Sequence, residues 1–422
     1  MKTTLKALWI LVVFALVAAA CGGDDDSADD TTAAPETTAA TTAAPETTAA
    51  TTTVAPDPAF EGKVLDAGGC DYGGDMEKLS ALDEFTVEFD LCGPNPAFLA
   101  QIAFGVFGIQ PEEHLEATSG GPIDNPVGTG PYMLDEWVRG DSVNFSRFDD
   151  YYGTKPAHST LVLKWATESA GRMLELQSGT VDGITFPGTE DLALIESDPN
   201  LTLLNKPEPN IFYVGFTNTF TPFDNVDVRK AIAMGIDRSQ IVDIFYPTGS
   251  EVASHFTPCS VENGCQGEAW YDFDPTAAKD MLAAAGYPDG FSTSIFYRDV
   301  TRGYLPTPGD VAVNIQTQLR ENLGIDAEVV QMESAEFIQA CSSAGTCDGM
   351  HLLGWTGDYP HVTNFLDFHF GEEVTQFGNA HPEIYEPLKE ASQLADASAA
   401  APLYEAANNA IKELCLLYTS DA

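Results

Sequence analysis

Positive charge is what this chain has least of. Lysine and arginine number 19 against 64 aspartates and glutamates, a net charge of −45 over 422 residues. A chain so short of bases cannot neutralise a phosphate backbone, so nucleic acid is excluded as a partner. Strongly anionic ligands are disfavoured for the same reason, and the surface is well solvated. The apolar run from Ala7 to Val17 is shorter than the ~20 residues a spanning helix needs. Neither a Gly-x-Ser-x-Gly elbow nor a His-Glu-x-x-His helix occurs, which removes two common hydrolase signatures. Among 64 acids a close pair arises by chance, so carboxylates alone do not support a glycosidase.

Residues 1–20, with Lys2 and Lys6 ahead of the apolar run, have the build of a signal peptide. Ala18-Ala19-Ala20-Cys21 resembles a bacterial lipoprotein cleavage site, which implies acylation of Cys21 and attachment to membrane lipid. Ala18-x-Ala20 would equally serve ordinary signal peptidase. Residues 21–58 lack aromatics and repeat TTAAPETTAA at Thr31 and Thr41, a composition that cannot bury enough apolar surface to fold. Such a disordered tether reaches roughly 115 Å when extended.

Cysteine is the other informative count. Apart from Cys21 and Cys415, the eight comprise Cys70, Cys92, Cys259, Cys265, Cys341 and Cys347. Export favours disulfides over metal, and the close spacing predicts Cys259–Cys265 and Cys341–Cys347, with Cys70–Cys92 completing the set. The last eight residues, Cys415 to Ala422, read as the translation of a sequencing adapter, a non-native tail expected to pack against nothing specific.

The body alternates strand and helix patterns, the mark of an α/β fold. Thr86 to Leu91 reads as a strand. Leu161–Trp165, a helix over Glu168–Gln177 with Ala170, Met173, Leu174 and Leu176 inward, and Val181–Ile184 read as a β-α-β unit of a mainly parallel sheet. From Ile211 a second lobe begins. Its strands are predicted at Phe212–Phe216, Ser292–Tyr297, Ile325–Gln331 and Met350–Leu353, its helices from Asn225, at Pro275–Ala285 and Asp310–Leu323, and across Glu383–Leu414.

Three stretches carry the functional signal. Gly349 to Phe370 reads GMHLLGWTGDYPHVTNFLDFHF, in which two glycines and a proline turn the chain out of the core after a short strand. The turn presents Trp355 beside Asp358 and Tyr359 at a strand end, where α/β proteins place ligands. A core tryptophan before an ordinary polar turn is the plainer alternative. Asn125 to Tyr132 holds Gly128-Thr129-Gly130-Pro131-Tyr132, suited to a tight crossing between lobes or to the start of a hairpin. Arg298 to Pro306 places Arg302 and Tyr304 in a loop after a strand, where a surface salt bridge is the simpler role for the arginine.

These stretches, Arg147-Phe148-Asp149-Asp150-Tyr151-Tyr152-Gly153 and Ala401 to Glu405 resemble the solute-binding proteins of peptide-type ABC importers: dipeptide, oligopeptide and nickel receptors. The likeness runs from about Glu84 to Leu414. It implies a two-lobed, periplasmic-binding-protein-like fold of type II with a ligand cleft between the lobes. Lobe I would cover 59–206, and 207–414 would hold lobe II and the start of the return to lobe I. Only Ala59 to Asp83 precede Thr86 where the family carries a whole subdomain, so lobe I is expected to be partial. His361-Val362 stands where relatives often have Asp-Pro.

The resemblance implies a monomeric receptor, not an enzyme, without cofactor or metal. It would deliver short peptides to ABC permease subunits at the outer face of the cytoplasmic membrane, in the periplasm or cell wall of a bacterium. Asp358 would meet the ligand's amino group and Arg302 its carboxylate, with Trp355, Tyr359 and Tyr304 around them. A nickel or other small-solute receptor is the alternative within the family. His351, His361, His369 and His381 lie in or near the Trp355 segment, but their spacings of 10, 8 and 12 match no local chelate. A secreted hydrolase is the alternative of another class.

Overall fold

The computed structural model describes residues 60–121, 125–206 and 208–421. The signal peptide at 1–20, Cys21 and the tether at 21–58 lie outside the described residues. Two antiparallel meanders come first. Strands β1 (Val64–Asp66), β2 (Met76–Asp83) and β3 (Thr86–Leu91) form one sheet. Two short helices, α1 (Phe98–Ile102) and α2 (Glu112–Ala117), lead to the second, β4 (Tyr132–Val138), β5 (Ser142–Arg147) and β6 (Thr160–Lys164). Helices α3 (Ser169–Gln177) and α4 (Leu192–Ser197) follow. In this region the buried residues are only Ser80, Ala97, Ser142, Met173 and Ile195 among those described.

The predicted β-α-β unit does not form here. After α3 the chain makes no strand at Val181–Ile184, and β6 pairs antiparallel with β5. The reason is local. Thr180 and Val181 donate back to the Glu175 carbonyl, and the Arg172 guanidinium takes the carbonyls of Thr185 and Phe186 at 3.1 and 2.7 Å. The backbone is thereby satisfied without a ladder. Of the four residues expected to face inward from α3, only Met173 is buried; Ala170 and Leu174 are exposed.

The second region is built around a strand with no polar face. β7 (Asn210–Phe216) reads NIFYVGF, and a strand covered on both sides must be apolar at every position. Helices α5 (Val226–Gly235), α6 (Arg238–Phe245) and α7 (Pro275–Ala284) follow, then β8 (Ser292–Arg298), α8 (Pro308–Leu323), β9 (Asp326–Met332) and α9 (Ser334–Phe337). β10 (Met350–Thr356), α10 (Leu366–Phe370), α11 (Pro382–Ala391), α12 (Ala397–Leu414) and β11 (Leu417–Asp421) complete the chain. Asn225, Asp237, Asp274 and Asp396 cap the starts of α5, α6, α7 and α12 with their side chains, and Gly324, at φ 70°, ends α8.

The sheet order is β11-β7-β10-β8-β9, with β8 parallel to β9 and β10, and β7 antiparallel to β10 and β11. Alternation divides the core between two faces. Phe212, Val214 and Phe216 pack with α5, α7 and α8, whereas Ile211 and Tyr213 pack with α11 and α12. Gly215 leaves room for His351, whose ring would lie 2.2 Å from a Cβ there.

The tail contradicts expectation. Cys415, Leu416, Leu417 and Tyr418 are buried, and β11 extends the sheet along β7. The apolar Leu-Leu-Tyr run suits a strand covered on both faces, Leu417 packing on one side and Tyr418 on the other. Buried Arg229 fixes the approach, donating to the carbonyls of Leu414 and Cys415. Cys259–Cys265 and Cys341–Cys347 pair as the spacing anticipates, each with a Cα–Cα distance of 5.0 Å, and the remaining Cys70 and Cys92 pair at 5.5 Å.

Candidate functional site

Strand β10 does not break at Gly354 as its glycine predicts. It continues through Trp355, paired with Ile211, and Thr356, paired with Asn210. Gly354 serves close packing instead: a Cβ there would come within 2.3 Å of the Tyr304 ring and 2.4 Å of the Ile211 carbonyl oxygen. The chain leaves the sheet at Gly357, whose N–H donates to the Pro209 carbonyl at 2.8 Å.

One side chain organises the turn that follows. Asn364 is buried, and its Oδ1 accepts from the Trp355 indole at 3.0 Å and from the Asp358 backbone N–H at 2.8 Å. Its Nδ2 lies 3.5 Å from Asp358 Oδ2. Sequence reasoning quoted this asparagine as part of a motif and gave it no role. A buried amide shared by an indole and a turn N–H leaves no polar signature in the sequence beyond the residue itself.

Trp355 stacks on Phe368 with ring centroids 4.2 Å apart, and His369 meets it edge-on at 5.1 Å. The Asp358 carboxylate is exposed and pairs with no base among the described residues. Tyr359 reaches the first region, its hydroxyl accepting from Gln101 Nε2 of α1 at 3.3 Å; Gln101 is itself held by Asn95 at 2.9 Å. Thr363, 3.4 Å from the same hydroxyl, is bonded to His361.

The β8–α8 loop meets the same stretch of chain. At Gly303 a Cβ would lie 3.2 Å from Asn210 and 3.6 Å from Glu208. The loops carrying Arg302 and Asp358 therefore both touch residues 208–210, the approach to β7. Arg302 is exposed, and its guanidinium turns to the carbonyl of its own neighbour Thr301 at 3.0 Å. Tyr304 is 6% exposed and packs in the core over Gly354, so its ring is not open to a ligand as expected. Only its hydroxyl meets a charged group, Arg298.

The Gly128–Tyr132 motif sits in the first region. Neither glycine has a positive φ, and a Cβ at either would meet open space, so the residues permit no special close crossing. Pro131 accepts from Phe148 N–H and Tyr132 opens β4, which is the hairpin role.

The four histidines take separate places. His351 and His369 are buried, and burial pushes both imidazoles down to about 4. His361 and His381 are lowered by burial as well. Among the described residues the cluster of three possible metal ligands is His255 with Cys259 and Cys265, and those two sulfurs share a disulfide. Asp367, in α10, is pushed up to about 7 by burial, and its Oδ1 has no hydrogen-bond partner. No helix of the described residues is long and apolar enough to cross a membrane.

The sequence profile of the bacterial extracellular solute-binding proteins, family 5 (middle), matches residues 23–376. The dipeptide-binding protein of Escherichia coli K12 is 28% identical over 332 residues, 76% of this chain and 61% of that protein. Heme-binding protein A of Haemophilus influenzae is 28% identical over 343 residues, 79% of this chain and 62% of that one. The chain thus spans less than two thirds of the length of these relatives. A dipeptide binding protein from Pseudoalteromonas sp. SM9913, solved in complex with Met-Leu, superposes with a TM-score of 0.73 at 27% identity. That match covers 82% of this chain and 69% of the solved one. The fold is the type II periplasmic-binding-protein fold.

Proposed function

The chain belongs to the bacterial extracellular solute-binding proteins of family 5, and from that premise we propose that it is the substrate-binding receptor of an ABC transporter. It captures short peptides outside the membrane and delivers them to the permease, performing no chemistry. Cys21 carries the lipid that holds it at the outer face of the cytoplasmic membrane, and the segment 21–58 is its tether. It works as a monomer, with lobes at 59–206 and 207–414 that close on the ligand by hinge motion.

Asp358 receives the ligand's amino group and Arg302 its carboxylate, with Trp355 as the apolar wall and Tyr359 alongside. The observation that carries this reading is the Asn364 amide. It holds the Trp355 indole and the Asp358 backbone on one atom, so an aromatic wall and an unpaired carboxylate keep a fixed relation. A fixed carboxylate without a protein counter-charge is prepared for an ammonium group, because little ordering is left to be done on binding.

Calorimetry with short peptides tests the assignment. Asp358→Asn is expected to cost about 2–5 kcal/mol of affinity, as for removing one side of a charged pair that closure of the lobes buries. N-acetylated peptides are expected to bind poorly to the wild type. Equal binding of acetylated and free peptides would refute the role of Asp358. Failure of every peptide alongside tight binding of nickel or zinc would replace the peptide reading with a metal one.

A further inference from the structure

We propose that Arg298, together with the hydroxyls of Tyr304 and Ser334, forms a second anion-receiving site that takes a carboxylate of the ligand. The proposal rests on the peptide-receptor reading above and adds to it a residue that determines specificity.

Three strand and loop ends converge here. Arg298 closes β8 and pairs in register with Met332 at the end of β9, which brings Ser334 alongside. Tyr304 comes from the loop after β8. The half-buried guanidinium donates from Nη1 to Ser334 Oγ at 3.0 Å and from Nη2 to Tyr304 Oη at 3.4 Å. Tyr304 cannot swing away. Its carbonyl accepts from the Tyr246 hydroxyl at 2.8 Å, and its ring lies against Gly354, one residue before Trp355.

Both partners of Arg298 are hydroxyls that accept from it, so each keeps its own proton to donate. The cluster is therefore rich in donors: the remaining guanidinium N–H groups and two O–H groups. Other guanidinium groups of this chain are held differently. Arg229 donates to the carbonyls of Phe223, Leu414 and Cys415, and Arg172 to those of Ala166, Thr167, Thr185 and Phe186. Carbonyls have no proton to offer and complete a structural cross-link. Arg298 makes no ion pair among the described residues, in a chain with 64 acids to choose from. A partly desolvated guanidinium without an anion is costly, whereas a carboxylate that meets it gains charge-assisted bonds. The carboxylate is either the ligand's C-terminus, which Arg298 would then share with Arg302, or an acidic side chain.

The test is calorimetry on the full chain with Ala-Ala, Ala-Ala-amide, Ala-Glu and Ala-Glu-amide, for wild type, Arg298→Gln and Tyr304→Phe, with thermal melts as the folding control. Arg298→Gln is expected to weaken carboxylate-bearing peptides at least about 10-fold, the scale of one lost charge-assisted contact, and to spare peptides that lack the recognised group. Loss with Ala-Ala but not with Ala-Ala-amide assigns the C-terminus. Loss confined to the two glutamate peptides assigns the side chain. Tyr304→Phe, which keeps the ring and removes only the hydroxyl, is expected to weaken the same peptides by a smaller factor. It also carries the test should Arg298→Gln not fold. Unchanged affinities for all four peptides, or equal loss on all four, would overturn the proposal and leave Arg298 as a tie between strand ends. If the wild type binds none of the four, the receptor reading itself fails and takes this proposal with it.

Discussion

Strands β3 and β7 are of similar length and both carry bulky apolar residues, but they end in different surroundings. In β3 the residues from Thr86 to Phe89 are exposed, while in β7 every residue from Ile211 to Phe216 is buried. The first belongs to a three-stranded meander touched by α1 through the Phe89–Phe98 ring pair, 5.2 Å between centroids. The second lies within a five-stranded sheet with helices on both faces. Alternation makes a strand, but only a second layer makes a core. The first region therefore leans on local hydrogen bonds and the Cys70–Cys92 bridge, and the second on packed apolar area.

The largest expected effect sets the two regions side by side. Phe216 is fully buried and stacks on Phe223 at 5.7 Å, so Phe216→Ala is expected to cost about 3–5 kcal/mol. Phe85 is 93% exposed, and Phe85→Ser is expected to stay within about 0.5 kcal/mol. Denaturant unfolding of the two variants gives both numbers. Comparable losses would mean that the first region has a core after all.

Much of the second region was legible from the chain, because its signals are local. NIFYVGF, the helix start at Asn225 and the stop at Gly324 each determine their element without help from elsewhere. The family motif likewise singled out Trp355 and Asp358 as candidates. What could not be read was contact between distant residues. Gly354 looks like a breaker in sequence, and only the Tyr304 ring packed against it explains why it sits inside a strand. Asn364 and Arg298 are ordinary polar residues until the turn and the strand ends fold over them. The missing strand at Val181 failed for a similar reason, since the carbonyls that follow it are claimed by Arg172.

A smaller effect sharpens the comparison through the disulfides. Cys70 and Cys92 stand 22 residues apart and tie β1–β3 together, whereas Cys259 and Cys265 stand six apart beside a packed core. Chain-entropy arguments give about 3 kcal/mol for the longer closure and about 2 kcal/mol for the shorter. In the double variant Cys70→Ser, Cys92→Ser, hydrogen exchange is expected to accelerate over residues 64–91 and to leave β7 and β10 protected. Loss of protection spreading into β7 would show that the two regions unfold as one.

In the second region the sign of the pH dependence follows from two buried histidines and one part-buried aspartate. His351 and His369 are held neutral, their imidazoles lowered by burial to about 4 from an ordinary 6.5. Unfolding between those values binds two protons, so their contribution is lost as pH falls from 6.5 towards 4. Asp367 opposes them. Burial raises its carboxyl to about 7 from 3.8, so within the same window it is neutral when folded and releases a proton on unfolding. These three groups together balance to a net uptake of about one proton, so their share makes stability fall by about 1.4 kcal/mol for each pH unit below 6.5. Burial shifts His255, His361 and His381 in the same direction as the two deeper histidines. Asp367→Asn removes the opposing group, so it is expected to steepen the slope by about 1.4 kcal/mol per unit and to raise stability above pH 7, where the wild type must keep a carboxylate in a desolvated place. Denaturant midpoints from pH 4.5 to 8 for both proteins measure the two slopes. A wild-type profile flat across this range, or an Asp367→Asn profile parallel to it, would mean that these groups do not stay buried and neutral in the folded chain.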